Sequence, residues 1–354
     1  MTMRTGSLAF LILMALLALS CNAGRPGEKE NTPDTTAVMG PDQGKLIALN
    51  ERIANDPGDA EALNDRAMLF LSNGKFNEAL RDISNALNVK PDHPPYLITL
   101  SDIYFGLNQP QKTRETLLNV LSKDERNTNA MLKLAELNLY YRDYEGVKSY
   151  AERALKTDPG LAQAYFILGF ASKETGDTAT AIRLFRLTAD RDPDHLQAYM
   201  QLGILMAASS NPLAEEYYKR VLTLDPRSLE AMYNLGMYYQ ENEMYNEAMK
   251  AYHDIISIEP SFRMAYYNLG YIHMAYLGVY SEAVKYFSQA INADPAYIEA
   301  LYNRGYAYEL MGDVMNARKD YERALQIRPN YSLAVDGLNR LDQIDRQVRS
   351  LPGE

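Results

Sequence analysis

Residues Leu229–Pro260 read LEAMYNLGMYYQENEMYNEAMKAYHDIISIEP. Apolar residues recur at helical spacing through Tyr239, a polar turn follows at Glu241–Glu243, and a second apolar stripe runs to Ile258 before Pro260. A proline cannot continue a helix and biases the residue before it away from helical geometry. The stretch is therefore a helix, a turn, a helix and a stop. Its first helix holds Leu235–Gly236 and its second holds Ala248 and Tyr252. A small residue lets the two helices approach closely, and the aromatic is expected to fill the gap to the next such unit.

The same stop recurs along the chain at Pro57, Pro91, Glu125 (in a proline's place), Pro159, Pro193, Pro226, Pro260, Pro295 and Pro329. The intervals are 34, 34, 34, 34, 33, 34, 35 and 34 residues, and a fixed period of this size marks a repeat array rather than two average domains. The internal residues keep phase. The fourth unit has Leu168–Gly169, Ala181 and Phe185; the fifth Leu202–Gly203, Ala214 and Tyr218. The seventh has Leu269–Gly270, Ala283 and Phe287; the eighth Gly305, Ala317 and Tyr321.

These residues at this period resemble the tetratricopeptide repeat family. The resemblance implies an all-α, right-handed α-solenoid of helix–turn–helix repeats with a C-terminal capping helix. It divides residues 45–349 into a half repeat at 45–57, eight repeats over 60–329 and a capping helix at 332–349. The cap is expected to bury a stripe of Ala334, Leu338, Leu341, Ile344 and Val348. Early units depart from the pattern, with Thr113, Asn138 and Val147 at consensus positions, so looser packing or a bend is expected there. The fifth unit lacks one residue near Ser209–Asn211 and the seventh gains one near Leu277–Tyr280. Both changes are expected in inter-helix turns, where length is tolerated.

Upstream, Arg4 precedes an apolar run of twelve residues, Leu8–Leu19, and then Ser20–Cys21. That run suits a signal peptide and is short for a membrane span. The arrangement resembles a bacterial lipoprotein signal over 1–20, with Cys21 lipidated, although Ala18 and Leu19 depart from the usual residues before the cysteine. An ordinary secretory signal is the alternative. Cys21 is the only cysteine, which excludes an intramolecular disulfide. Residues 21–44 are rich in Pro, Gly, Thr and charge and read as a lipid-anchored, disordered tether reaching roughly 25 Å. Asn22 after the cysteine implies, by resemblance to sorted lipoproteins, the outer membrane facing the periplasm.

The net charge of −10 argues against nucleic acid as a partner. The four histidines, His93, His195, His253 and His273, are scattered over different kinds of position. No catalytic or phosphate-binding motif stands out, so neither enzyme activity, cofactor nor metal is expected. The resemblance places ligand on the concave face formed by first helices. There the C-terminal half carries Gln201, Asn234, Asn268 and Asn303, preceded by Tyr233, Tyr267 and Tyr302 and followed by Met237, Tyr271 and Tyr306. Side-chain amides both donate to and accept from an extended peptide; they equally suit inter-repeat packing, as the tyrosines do. The expected function is a membrane-tethered scaffold for a peptide or protein partner in envelope assembly or secretion. A glycan such as peptidoglycan, or a second copy of the chain in a homo-oligomer, are the alternatives.

Overall fold

The computed structural model describes residues 41–350. Its described residues form helices and no strands, in two compact units that divide at Arg191–Asp192. The first unit contains α1 (Pro41–Asn55), α2 (Ala60–Ser72), α3 (Phe76–Val89), α4 (Pro94–Gly106), α5 (Pro110–Lys123), α6 (Thr128–Tyr140), α7 (Tyr144–Thr157), α8 (Ala162–Glu174) and α9 (Thr178–Arg191). The second contains α10 (Leu196–Ala207), α11 (Leu213–Leu224), α12 (Leu229–Glu241), α13 (Tyr245–Ile258), α14 (Arg263–Tyr271), α15 (Tyr280–Ala293), α16 (Ile298–Leu310), α17 (Val314–Ile327) and α18 (Ser332–Ser350). Within each unit, successive helices pack as helix–turn–helix pairs. The all-α repeat architecture is the one expected from the period.

The turns inside the pairs share one device. A single residue adopts a left-handed backbone: Gly74, Asn108, Arg142, Gly176, Ser210, Glu243, Gly278 and Gly312. In all of these but the Gly278 turn, the next N–H closes back onto a carbonyl five residues earlier, as Met244 does onto Tyr239 and Asp313 onto Tyr308. This satisfies carbonyls that the helix end leaves open. First helices begin on side-chain caps where the sequence supplies them. Asp59, Asn127 and Ser228 accept from the N–H three residues on.

Packing inside each pair follows from size. A Cβ added at Gly236 would lie 2.7 Å from the Tyr252 ring, and one at Gly270 would lie 2.8 Å from Phe287. Tyr252, Phe287, Phe185 and Tyr321 are fully buried as a result. The early departures pack fully too. Thr113 and Val147 are buried, and Asn138 is buried with its carbonyl taken by Arg114 at 2.8 Å. The looseness expected there is absent at these positions; the cost falls on Asn138 Nδ2, which has no hydrogen-bond partner.

Four further differences from expectation are local. Helix α1 begins at Pro41, so residues 41–44, assigned to the tether, form its first turn; proline is well suited to that position. The extra residue of the seventh unit does not lengthen the turn. It is absorbed at the end of the first helix as a π-helical turn, Ile272–Tyr276, and Val279 N–H reaches back six residues to His273 O. The missing residue of the fifth unit shortens its helices, α10 and α11 having 12 residues each. In the cap, Ala334 and Leu341 are buried but Ile344 is 39% exposed. The 19-residue helix is longer than the 14-residue α17 on which it packs, and Ile344 lies in its later part. The signal at 1–20, Cys21 and the tether up to residue 40 lie outside the described residues, as does the Val348 side chain.

Candidate functional site

In the second unit, α12, α14 and α16 present matching side chains at matching positions. Tyr233, Tyr267 and Tyr302 stand one turn into these helices. Each ring packs on the second-helix aromatic of its own repeat and on the aromatic that closes that repeat. Tyr233 lies 6.2 Å from Tyr252 and 5.8 Å from Phe262. Tyr267 lies 5.8 Å from Phe287 and 5.2 Å from Tyr297. Tyr302 lies 5.7 Å from Tyr321 and 6.0 Å from Tyr331. Centroid separations of this kind are favourable aromatic contacts.

The asparagines join one repeat to the next. Asn303 Nδ2 donates to Tyr267 Oη at 2.9 Å, and Asn268 Nδ2 donates to Tyr233 Oη at 3.4 Å. Asn268 also lies 3.3 Å from Met237 Sδ, and Asn234 lies 3.7 Å from Met200 Sδ. Gln201, Asn268 and Asn303 are buried. Burial pushes the Tyr267 phenol up to about 12 despite the bond from Asn303, so it stays protonated near neutral pH. Burial likewise raises Tyr233, with Asn268 opposing. The amide row is thus largely engaged in holding repeats together.

Met237, Tyr271 and Tyr306, one turn further along, remain half-buried. Tyr271 stacks beside Tyr267 at 6.4 Å and 21°. Tyr306 stacks beside Tyr302 at 6.2 Å and 2°. In the capping helix the corresponding position is Arg340, whose guanidinium lies 5.5 Å from the Tyr306 centroid. Arg340 is fixed there by a two-pronged pair with Glu309, at 2.7 and 2.9 Å, and Tyr321 Oη donates to the same carboxylate at 2.5 Å. Burial works against the Glu309 charge, but the bonds from Arg340 and Tyr321 outweigh it and hold its pKa below the usual range.

The first unit repeats this register with different chemistry. Thr99 Oγ1 donates to Asn64 Oδ1 at 2.9 Å, and Lys133 Nζ pairs with Asp102 at 2.6 Å. Gln163 donates to Glu136 at 2.9 Å. A groove of about 540 Å³ is lined here by Asn64, Met68, Ile98, Thr99, Asp102 and Lys133. Burial raises Asp102, with Lys133 opposing, and burial raises Glu136, with Gln163 opposing. The Asp102–Lys133 pair was not among the residues picked out from the sequence. The usable signal is that Asp102 and Lys133 hold the positions of Met237 and Asn268, four repeats earlier.

The histidines are less scattered than the sequence suggests. His273 stacks on Tyr286 at 5.3 Å, and His253 Nε2 lies 3.5 Å from the Tyr286 hydroxyl. They sit on helical segments of successive repeats, 20 residues apart, which hides this in the sequence. Among the described residues no group of three or more His, Cys, Asp or Glu side chains is placed to hold a metal ion. No described helix is long and apolar enough to cross a membrane.

Models of the tetratricopeptide repeat match residues 163–195, 217–250 and 298–331, and a further TPR repeat model matches 274–312. The chain is 29% identical over 136 residues to type IV pilus assembly protein PilF of Pseudomonas aeruginosa, covering 36% of this chain and 53% of that protein. It is 22% identical over 203 residues to protein O-mannosyl-transferase TMTC3 of Homo sapiens, covering 56% of this chain and 22% of that protein. These matches span from about a fifth to about half of the relatives' lengths. Among solved structures, MamA matches with a TM-score of 0.44 at 27% identity, over 48% of this chain and 93% of MamA. The C-terminal part of a TPR repeat-containing protein from Cytophaga hutchinsonii matches with a TM-score of 0.48 at 18% identity, over 77% of this chain and 98% of that one. In-phase helix pairs, glycine–aromatic packing and the matched models together make this chain a tetratricopeptide-repeat protein.

Proposed function

We propose that this protein is a lipid-anchored scaffold of a bacterial cell envelope. On this reading it holds an extended peptide or protein segment along the first-helix face of its second unit. The observation that carries the binding role is the half-exposed row of Met237, Tyr271 and Tyr306 beside a rigid layer of buried Asn and Tyr. Large, stiff aromatic side chains on a preorganised support contribute contact area at low entropic cost. Because the amides of Asn268 and Asn303 are engaged between repeats, the weight of recognition moves to these rings.

The location rests on the apolar run at 8–19 and on Ser20–Cys21. The partial likeness to a protein named for pilus assembly supports a place in envelope assembly or secretion. Capture from solubilised envelope tests the face: wild type is expected to retain a partner that the Tyr271→Ala/Tyr306→Ala variant loses. Equal capture by both proteins removes the face from the mechanism. A second reading is favoured by the near-parallel Tyr302–Tyr306 stack, which suits the flat face of a sugar ring. Co-sedimentation with purified sacculi separates the two.

A further inference from the structure

The seventh repeat carries something its neighbours lack. Its π-turn displaces the end of the first helix and sets Tyr276 against the preceding repeat. Tyr245 stacks on Tyr276 at 4.4 Å and 21°, and Tyr271 meets it edge-on at 5.8 Å and 78°. Tyr276 nonetheless stays 45% exposed, with Leu277 and Val279 exposed beside it. Tyr271 belongs to the binding face proposed above, so this aromatic corner continues that face toward the inter-helix turn. π-turns inside helices recur at functional sites.

Two carboxylates flank the corner. Glu241 ends α12, and Glu243 occupies the left-handed turn position with φ 62°, where four other turns use glycine. Both are exposed, and neither has an ion-pair partner among the described residues. They are near enough to join burial and the neighbouring tyrosines in raising the Tyr276 phenol. We propose that Tyr245, Tyr271, Tyr276, Glu241 and Glu243 form a subsite for one Lys or Arg side chain of the bound segment. This rests on the scaffold reading and specifies its partner chemistry. A cation is attracted to an aromatic face and to the carboxylates together. An apolar anchor would take water from both carboxylates and return nothing. The chain's overall charge of −10 acts in the same direction.

The test titrates full-length protein, tyrosine-labelled for NMR, with Nα-acetyl-arginine amide and with its uncharged analogue Nα-acetyl-citrulline amide. The Tyr245, Tyr271 and Tyr276 ring signals are expected to respond to the arginine compound about fivefold more tightly than to the citrulline one. Glu241→Gln/Glu243→Gln, at exposed positions, is expected to erase that preference. Deleting Leu277, which restores a 34-residue unit, is expected to erase it while helical circular dichroism is kept. Equal response to the two compounds in wild type, or a preference that survives either variant, overturns the subsite. Partner capture unaffected by Glu241→Gln/Glu243→Gln also removes the subsite but leaves the scaffold reading in place. Failure of wild type to capture any partner removes the scaffold reading while the arginine titration still stands or falls on its own.

Discussion

Asn303 illustrates how a side chain suited to ligand binding is used for cohesion. Its amide donates to a phenol 36 residues away, across the boundary between repeats. Asn303 is buried, so the bond offsets the loss of its water contacts, and removing one partner costs more than the modest net value of the bond suggests. Asn303→Ala is expected to cost about 1 kcal/mol, read from urea midpoints at unchanged slope. An unchanged midpoint would return the amide to the pool of ligand contacts. His195 makes a different residue-scale prediction. Its Nδ1 accepts from Ala198 N–H at 3.2 Å and caps α10. Burial lowers its pKa, with Asp192 opposing. The unfolded chain takes up this proton near pH 6.5, and the folded chain does so only at lower pH. Stability from the neutral ring is therefore present above about pH 6.5 and is lost as pH falls through the window below it. His195→Asn caps without titrating, so the difference in Tm between variant and wild type should shift in the variant's favour from about pH 7 to about pH 5. A constant difference would show that the ring does not titrate in this way.

At the scale of elements, the helix pair depends on one close approach. A methyl at Gly236 has no room before the Tyr252 ring, 2.7 Å away. Gly236→Ala is expected to destabilise by about 1–3 kcal/mol, since a packed core resists added volume. The capping helix depends instead on one polar knot. Arg340→Ala removes both prongs from Glu309, whose side chain is 11% exposed, and leaves a nearly buried carboxylate with only Tyr321. The expected loss is about 1–3 kcal/mol, measured by thermal melting. Rescue by Arg340→Lys should be incomplete, because lysine cannot reproduce the two-pronged geometry. Full rescue would mean that charge alone matters there. The helix pairs and the small residues that let them close up were legible because each is written within one repeat; that the ring over each glycine belongs to the same repeat was not. The absorption of the inserted residue as a π-turn was not. A one-residue insertion fits equally well in a turn or in a helix end, and the contacts of Tyr276 with Tyr245 and Tyr271, formed in the folded chain, accompany the latter.

For the whole molecule, the proposed anchor has a simple consequence. Cys21→Ser is expected to move the protein from the membrane fraction to the soluble fraction, with loss of the mass of the lipid. A variant that stays in the membrane fraction would leave the anchor to the apolar run at 8–19. The acidic balance adds that capture of a cationic partner should weaken as salt rises, since screening shortens the reach of exposed charges. The candidate face was legible in outline. Tyr233, Tyr267 and Tyr302 and the asparagines beside them do line up on successive first helices. Their division of labour was not, because sequence spacing places residues on a face without saying which of them the next repeat covers.

The amino-acid sequence alone determined the repeat, its period, its helix-pair content and its close-packed glycines. These follow from patterns shorter than one unit, copied in phase: a stop, a polar turn, and a small residue where two helices approach. The tertiary structure alone decided that Asn268 and Asn303 bind tyrosines rather than solvent, that His253 and His273 meet around Tyr286, and that Tyr276 turns back onto Tyr245. All but the His273–Tyr286 stack join atoms about one repeat apart, and such pairs meet only when units stack at a particular distance and rotation. That geometry is set by the sum of many side-chain volumes at the interface, which no single motif records.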